Sequence, residues 1–369
     1  MKELRSYCTM RMTLLDNLQP GMILGKSIIN AEGTVLLAAG VKLTPRYIHR
    51  LQNLGISTVY IWDERTADLD FRGPLRDETR LRAASTLRQV MTELEGDLER
   101  TTVLANKLPQ IATVVDDILN DLLSSNKLII DFLEIKTMDD YTFFHSVNVC
   151  VLALILGMRL GLEEEKLKEL GIGSLLHDIG KTRIPAEIVA KPGPLTVTEW
   201  ETMQKHTSLG FEILRKSNEL PLPAAHVSYQ HHERYNGTGY PRQLRGEEIH
   251  LYARLTAVCD VFDALTSDRS YRHRFLPHEA LEYILGGSNT HFDFAVVKEF
   301  ARCVAMYPLG TKVRLNNGTQ GIVIQVPPQA PQRPVLRIIK DREDRTLDRP
   351  YNLPLLDHPR LIITAVLDQ

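Results

Sequence analysis

The stretch Leu175-Leu176-His177-Asp178-Ile179-Gly180-Lys181 determines how this chain is interpreted. A histidine and a carboxylate stand side by side at the end of an apolar helix predicted from Glu163 to His177. Burying such a pair is costly unless another group compensates for the lost hydration. A divalent metal would compensate, because it binds a neutral imidazole and an ionised carboxylate. The question is then which other residues complete a metal site.

Composition is typical of a soluble globular protein of two or three domains. The 369 residues are 43% hydrophobic and 24% charged, and the net charge of −2 argues against general nucleic-acid binding and against a membrane surface. The four cysteines are scattered, as is usual for reduced thiols. The N-terminus lacks the apolar core of a signal peptide, and the longest apolar run, 147–158, falls short of the roughly 20 residues that span a bilayer. We therefore expect a cytoplasmic protein.

Changes in pattern divide the chain into four regions, and the predicted fold is mainly α. Residues 1–63 are expected to form a small β-rich module, either sensory or structural. Residues 64–135 are expected to be a helical linker or dimerisation region, or helices that simply pack on the next domain. Residues 136–307 are predicted to be an all-helical core, and 308–369 a second small, barrel-like β-rich module.

Local signals place individual helices. Thr44 is expected to cap a helix that begins at Pro45. Pro109 is expected to break a helical pattern that begins at Asp77. Thr198 fits a capping box with the glutamate three residues later, at the start of a helix from Thr198 to Ser217. The other core helices are predicted at 141–160, 224–230, 253–265 and 277–285.

The C-terminal region carries strand and turn signals. Asn317-Gly318 predicts a hairpin turn between strands at 313–315 and 321–324. Two further strands are expected at 335–339 and 361–365.

Ten of the twelve histidines lie in the helical core, and a subset is suited to bind metal. Five histidines and two aspartates fall on or beside five predicted helices with apolar faces. These candidate ligands are His145, His177, Asp178, His206, His231, His232 and Asp260. Imidazole and carboxylate suit Fe, Mn, Zn or Ni. Seven ligands are too many for one ion but sufficient for two, with Asp178 able to bridge.

Two neighbouring metals are the usual apparatus for phosphoester hydrolysis, because they activate water and neutralise charge on the phosphoryl oxygens. Lys181 follows Asp178 by three residues and is placed to reach a phosphate or assist the leaving group, on the same face if the helix continues that far. Arg269 and Arg272 suit bidentate binding of phosphate oxygens. Each signal alone is weak, and the joint pattern carries the interpretation. The remaining core histidines are interpreted as structural: His226, His250, His273, His278 and His291.

These motifs resemble the HD-domain metal-dependent phosphohydrolases. His177-Asp178, with His145 upstream and Asp260 downstream, matches the general family pattern. His231-His232-Glu233-Arg234, followed by Asn236-Gly237-Thr238-Gly239-Tyr240-Pro241, is similar to the HD-GYP subgroup. The stretch from Asp260 to Arg269 is also similar to that subgroup, and the resemblance covers roughly residues 138–307.

The resemblance implies a cyclic di-GMP phosphodiesterase that makes linear pGpG and GMP with two divalent ions, Fe or Mn, or alternatively Zn or Ni. It also implies metal ligation by the seven candidate residues, catalytic roles for Asp178 and Lys181, and phosphate contacts by Lys181, Arg269 and Arg272. Two alternatives stay open. One is an HD hydrolase of another signalling nucleotide, and the other is a cyclic di-GMP receptor without catalysis.

Two features refine this expectation. Some family members have a glutamate one turn before the first metal histidine that supports a third metal. Tyr141 occupies that position here, with Asp139 and Asp140 on other helix faces, so we expect a binuclear site.

The Gly-Tyr-Pro loop is interpreted either as a tight turn with Tyr240 packed over it, or as a loop that shapes the substrate pocket or docks a diguanylate cyclase. A homodimer is a further expectation.

Overall fold

The structure is a computed structural model, and it describes residues 10–30, 34–54, 56, 58–63, 69, 71, 73–95, 101–125, 129, 141–217, 220–267 and 275–367. The chain forms two compact units. One comprises residues 75–126 and 140–301 and is helical in its described part. The other comprises residues 1–74, 127–139 and 302–369 and carries the strands. The predicted fold, a helical core flanked by small β-rich modules, is confirmed, whereas the four domain boundaries remain predictions.

The described residues of the N-terminal module form two short antiparallel strand pairs and one helix. Strand β1 (Met10–Leu14) pairs with β4 (Thr58–Trp62), and β2 (Ile28–Ile29) pairs with β3 (Val35–Leu37). Helix α1 (Pro45–Asn53) begins as predicted, because the Thr44 hydroxyl accepts a hydrogen bond from the Tyr47 amide. Leucine, isoleucine and valine side chains between these elements form a small core of their own.

Two long helices begin the helical unit, and Pro109 does not separate them. Helix α2 spans Asp77–Leu94, and α3 spans Thr101–Ser124 with Pro109 inside it. The predicted break at Pro109 is therefore wrong. Buried side chains lie on both sides of the proline, including Leu104, Leu108 and Ile111. Their packing against α2 and later helices outweighs the roughly 3 kcal/mol that an interior proline costs a helix.

Nine further helices of this unit follow α3 in the described part of the chain. They are α4 (Tyr141–Arg159), α5 (Glu164–Leu175), α6 (Ala186–Val189), α7 (Val197–Gln204), α8 (His206–Arg215), α9 (Leu222–Gln230), α10 (Leu251–Thr266), α11 (Pro277–Gly286) and α12 (Phe294–Phe300). Helix α4 packs against α5 and α10, and α9 packs against α5, α8 and α10. Helix α2 packs against α4, and α3 packs against α5. The short helices α6 and α12 have no counterpart among the predicted elements.

The predicted helix from Thr198 to Ser217 is two helices, and its predicted cap is wrong by two residues. The capping box is formed by Thr196 and Glu199, whose side chain accepts from the Thr196 amide. The first helix ends before Lys205, and α8 begins at His206. The sequence Thr-Val-Thr-Glu-Trp-Glu offers two overlapping Thr-x-x-Glu patterns, so the pattern alone does not select one of them.

The C-terminal module is a five-stranded antiparallel sheet. Strand order is β8-β7-β6-β5-β9, with β5 (Lys312–Leu315), β6 (Gln320–Gln325), β7 (Val335–Lys340), β8 (Thr346–Pro354) and β9 (Ile363–Val366). The predicted hairpin and the two further strands are confirmed. Strand β8 was not predicted, because Asp348, Arg349 and Pro350 are poor strand formers. They are tolerated here because β8 lies at the edge of the sheet and its middle is exposed.

One described helical segment, Thr142–Arg159, is long and apolar enough to cross a membrane by composition. In this structure 78% of that segment is buried inside the protein, where it packs as a core helix. The prediction that 147–158 is a buried helix is confirmed.

Candidate metal centre

His177 and Asp178 lie in a turn between two helices, and not within a helix as the sequence suggested. Helix α5 ends at Leu175, and a 3-10 turn (Ile179–Arg183) follows Asp178. The chain turns here because Gly180 packs directly against the backbone of α8, where a side chain would overlap the carbonyl oxygen of His206. The His177 carbonyl accepts a hydrogen bond from Ser228 Oγ on α9. His177 and Asp178 are nevertheless buried, at 0% and 3% exposure respectively.

The structure brings all seven candidate ligands together in two groups. One group is Asp178, His206, His231 and His232, and the other is His145, His177 and Asp260. Within each group one ligand atom from every residue lies within 4.8 Å of the others. The residues come from the start of α4 and α8, the turn after α5, the end of α9 and the middle of α10.

Asp178 stands between the two groups. Its Oδ1 lies 3.5 Å from His206 Nε2 and 3.9 Å from His231 Nε2. Its Oδ2 lies 3.3 Å from His177 Nε2 in the other group. Each carboxylate oxygen therefore faces a different set of imidazoles, which is the geometry of a bridging carboxylate.

The histidine rings are oriented by hydrogen bonds on their outer nitrogens. Nδ1 of His177 lies 2.8 Å from the Ser174 carbonyl, and Nδ1 of His206 lies 2.7 Å from the Met203 carbonyl. Nδ1 of His231 lies 3.0 Å from the carbonyl of Ser228. A carbonyl accepts but cannot donate, so each Nδ1 carries the proton and each Nε2 presents a lone pair inward. This is the usual arrangement of metal-ligating histidines.

Buried atoms without hydrogen-bond partners show that these residues fit a metal. Nε2 of His177 and Oδ1 of Asp178 are buried and have no hydrogen-bond partner. An unsatisfied imidazole nitrogen and an unsatisfied carboxylate oxygen are costly in a protein interior. Both belong to the ligand groups and face the cluster, so divalent cations would satisfy them.

Electrostatics keep most of the ligands in their metal-binding protonation states. Burial lowers the pKa of His206, lowers that of His232 to about 3, and holds the pKa of His231 well below its usual value. Burial raises the pKa of Asp178, but the Lys181 ammonium together with His177 and His206 outweighs burial and leaves that pKa well below its usual range. The cluster therefore offers neutral imidazoles and an ionised carboxylate at neutral pH.

His145 differs from the other ligands because it lies between two carboxylates. Its Nε2 is 3.1 Å from Asp260 Oδ1, and its Nδ1 is 2.8 Å from Asp263 Oδ2. Burial lowers the pKa of His145, but the hydrogen bonds to Asp260 and Asp263 prevail and raise it to about 9. A cation bound between His145 and Asp260 would replace the proton on Nε2.

The structure also locates two of the predicted substrate contacts. Lys181 Nζ lies 2.5 Å from Asp178 Oδ2, and its side chain is 27% exposed, so it borders the cluster on the solvent side. The Tyr240 ring stacks on the ligand His232 with ring centres 4.8 Å apart. The exposed ring of Trp200 meets Tyr240 edge-on at 6.0 Å. The rings of Tyr240 and Trp200 together form a small aromatic surface, the ledge, beside the metal ligands.

Glu233 holds the loop that carries Tyr240. Its carboxylate accepts from the backbone amides of Arg242 and Leu244, at 2.7 and 3.1 Å. The Tyr240 amide donates to the His232 carbonyl at 3.2 Å. A side chain at Gly239 would overlap the backbone of residues 233 and 234, so this position requires glycine. The tight-turn interpretation of this loop matches its geometry, and Tyr240 packs over a ligand.

Other predicted residues have different outcomes. Arg269, Arg272, His273, Asp139 and Asp140 lie outside the described residues. Tyr141 is the first residue of α4, one turn before His145, as expected. His226, His250, His278 and His291 belong to neither ligand group.

Sequence reasoning missed Asp263, which binds the outer nitrogen of His145. Asp263 follows Asp260 by three residues on α10 and therefore lies on the same helix face. The three-residue spacing of the two aspartates is the sequence signal for this contact.

Comparison with known proteins places these residues in a family. A profile described as "HD domain" matches residues 99–296, and one described as "KOW domain associated with HD domain" matches residues 312–369. The chain is 40% identical over 212 residues to "Cyclic di-GMP phosphodiesterase PA4108" of Pseudomonas aeruginosa, covering 58% of this chain and 51% of that protein. It is also 40% identical over 139 residues to "3'3'-cGAMP-specific phosphodiesterase 2" of Vibrio cholerae, covering 37% and 27%.

The chain thus spans about half the length of the first of these relatives and about a quarter of the second. Among solved structures, Bd1817, an HD-GYP-type protein from Bdellovibrio bacteriovorus, is similar with a TM-score of 0.47 and 18% identity. That similarity covers 79% of this chain and 98% of Bd1817.

Proposed function

This chain belongs to the HD-domain family, and on that premise we propose that it is a metal-dependent phosphodiesterase that hydrolyses cyclic di-GMP to linear pGpG and GMP. The observation that carries the proposal is the pair of ligand groups that meet at Asp178. Seven nitrogen and oxygen ligands divided in this way suit two divalent transition metals, for which we propose Fe or Mn, with Zn or Ni as alternatives.

Two bound ions would supply an activated water as nucleophile and positive charge for the phosphoryl oxygens. The chain's own residues orient these parts. Asp178 provides one carboxylate oxygen to each ligand group, which holds the two sites at a short separation. Lys181 places its ammonium beside that carboxylate, where it can stabilise a phosphoryl oxygen or donate a proton to the departing oxygen.

Substrate contacts follow from the surroundings of the cluster. The ledge formed by Tyr240 and Trp200 includes the exposed Trp200 ring, on whose face a nucleobase can stack. We assign phosphate contacts to Lys181 and, from the sequence alone, to Arg269 and Arg272. The relatives named as cyclic di-GMP phosphodiesterases support the choice of a cyclic dinucleotide.

A second substrate is favoured by one observation. The relative named 3'3'-cGAMP-specific is as similar over its matched segment as the first cyclic di-GMP relative is over its own. The two nucleotides share the cyclic phosphodiester backbone and differ in one base. Discrimination between them would therefore rest on base contacts and not on the metal centre.

The test is turnover by the purified chain after loading with Mn²⁺ or, without oxygen, Fe²⁺. We expect pGpG and GMP from cyclic di-GMP, and faster turnover than with 3'3'-cGAMP. Asp178→Ala should abolish the activity, whereas Asp116→Ala, which removes a half-exposed carboxylate on α3, should not. Binding of cyclic di-GMP by metal-loaded protein without any product would identify a receptor and contradict the proposal.

We further propose a cytoplasmic location, a homodimer, and docking of a diguanylate cyclase through the Gly-Tyr-Pro loop. The support for docking is exposure, because Asn236 and Thr238 in this loop face solvent. A pull-down of purified cyclase with wild-type chain and with Thr238→Arg would test the docking, since the variant should lose it.

A further inference from the structure

A chain of buried polar side chains connects helix α2 to the metal centre. Arg80 on α2 donates from Nη1 to Oδ1 of Asn148 on α4, at 2.7 Å. Asn148 donates from Nδ2 to Oδ1 of Asp263 on α10, at 2.9 Å. The other Asp263 oxygen lies 2.8 Å from Nδ1 of the ligand His145. Three hydrogen bonds thus link three helices.

The order of donors and acceptors in this chain has one direction. Arginine can only donate and an ionised carboxylate can only accept, so Asn148 must direct its oxygen to Arg80 and its nitrogen to Asp263. Asp263 then accepts from Nδ1 of His145. This leaves Nε2 of His145 facing Asp260 and His177, its partners in the ligand group.

All four members are sealed from water. Arg80 is 8% exposed, Asn148 1%, Asp263 5% and His145 4%. A buried polar atom that loses its partner cannot readily recover one from solvent. Loss of the Arg80 guanidinium would therefore remove the donor to Oδ1 of Asn148, so that the Asn148 amide could reorient and shift its contact with Asp263.

We propose that Arg80 is a positioning residue for the metal centre, acting on the imidazole of His145 through Asn148 and Asp263. Arg80 lies on a helix that contributes none of the seven ligands, and none of the comparisons assigns it a role. The inference rests on the proposed function only in requiring that the His145 group binds a metal ion. It predicts that α2 influences the affinity of that ion and leaves the ion at His206, His231 and His232 unaffected.

The test is a titration of the metal-free, 369-residue chain with Zn²⁺ in competition with a fluorescent chelator. Wild type should bind two ions. Arg80→Met should weaken one of them by roughly tenfold or more, the effect of removing an outer partner of a metal ligand. Arg82→Met is the matched control, because it removes another α2 arginine that pairs with Asp117 on α3, away from this chain of hydrogen bonds. The affinities of Arg82→Met for both metal ions should stay within about twofold of the wild-type values.

Further variants separate positioning from general stability. Arg80→Lys keeps the charge and a donor and should restore most of the affinity. Asp263→Asn should weaken the same ion, and adding Arg80→Met to it should weaken that ion little further, because both act through His145. If Arg80→Met does not fold, Asn148→Ala breaks the same chain and should weaken the same ion.

Three results would overturn the inference: two unchanged affinities in Arg80→Met or Asn148→Ala, equal weakening of both ions, or additive effects of Arg80→Met and Asp263→Asn. Failure of wild type to bind any metal would instead overturn the proposed function, and this inference with it.

Discussion

At the scale of single residues, the ion pair between Lys181 and Asp178 is the contact that we propose links metal binding to substrate. The ammonium lies 2.5 Å from one oxygen of the carboxylate that faces both ligand groups. The carboxylate is nearly fully buried, whereas the lysine side chain is partly exposed. In the function that we propose, a buried anion beside a solvent-accessible cation would let the lysine act on an incoming phosphate without leaving its partner.

We predict that Lys181→Met lowers kcat about 100-fold, within the range for removal of a group that donates a proton or stabilises charge in the transition state. The seven ligands stay in place, so the variant should still bind two ions. Metal content by mass spectrometry and steady-state kinetics with cyclic di-GMP provide the measurement. Loss of an ion together with kcat would show that Lys181 supports the site and does not act on the substrate.

At the scale of elements, the 3-10 turn after Asp178 depends on a glycine. A Cβ at Gly180 would overlap the carbonyl oxygen of His206 and approach the amide of Gly210, both backbone atoms of α8. Backbone atoms of a packed helix cannot move aside cheaply. The turn carrying Asp178 and the helix carrying His206 would therefore have to separate.

Gly180→Ala should accordingly destabilise the helical unit by roughly 1–3 kcal/mol or more, as overpacking of a core does, and weaken metal binding. Gly286→Ala is the matched control, since no atom lies within 4 Å of a Cβ there. Urea denaturation followed by circular dichroism gives the free energy of unfolding of both variants. Equal stability of the two variants would contradict the close packing at Gly180.

The capping box of α7 makes a pH-dependent contribution to stability. A hydrogen bond from Lys191 and one from the Thr196 amide lower the pKa of Glu199 to about 2. A carboxyl whose pKa is lower in the folded protein stabilises it above the unfolded pKa, near 4.5, and loses that effect as pH falls toward the folded value.

Glu199→Gln should therefore lower Tm at pH 7, and the difference from wild type should shrink as pH falls below about 4.5. Differential scanning fluorimetry from pH 7 to pH 3 measures this. A difference in Tm that is constant over that range would mean that the ionised form of Glu199 is not what stabilises α7.

At the scale of the whole molecule, metal binding should stabilise one unit selectively. All seven ligands lie in the helical unit, and the chain has one tryptophan in each unit, Trp62 in β4 and Trp200 in α7. A ligand at 100 times its Kd stabilises the folded state by about 2.7 kcal/mol, or roughly 5–10 °C for a unit of this size.

Chelation of the metal should thus lower the unfolding temperature reported by Trp200 in Trp62→Phe and leave unchanged that reported by Trp62 in Trp200→Phe. Fluorescence-detected melting with Mn²⁺ and with a chelator gives both values. Equal shifts at the two tryptophans would show that the units unfold as one.

Prediction from sequence succeeded where the signal was local and failed where packing chose between local options. The Thr44 cap and the Asn-Gly hairpin depend on neighbouring residues, and both were correct. Pro109 was predicted to break a helix on local grounds, but its neighbours are buried against other helices and keep it helical. Strand β8 was not predicted, because it lies at the edge of the sheet, pairs with one neighbouring strand and therefore tolerates polar residues that hide a strand pattern.

The amino-acid sequence by itself determined the family and the seven candidate ligands, and it is the basis of the chemistry that we propose, because residue types and short spacings carry that information. Only the tertiary structure decided how the ligands divide into two groups and that Asp178 faces both. It also joined Arg80 to Asn148, 68 residues away, and Asn148 to Asp263, 115 residues further. Contacts over such distances arise from the packing of whole helices, which no local pattern specifies.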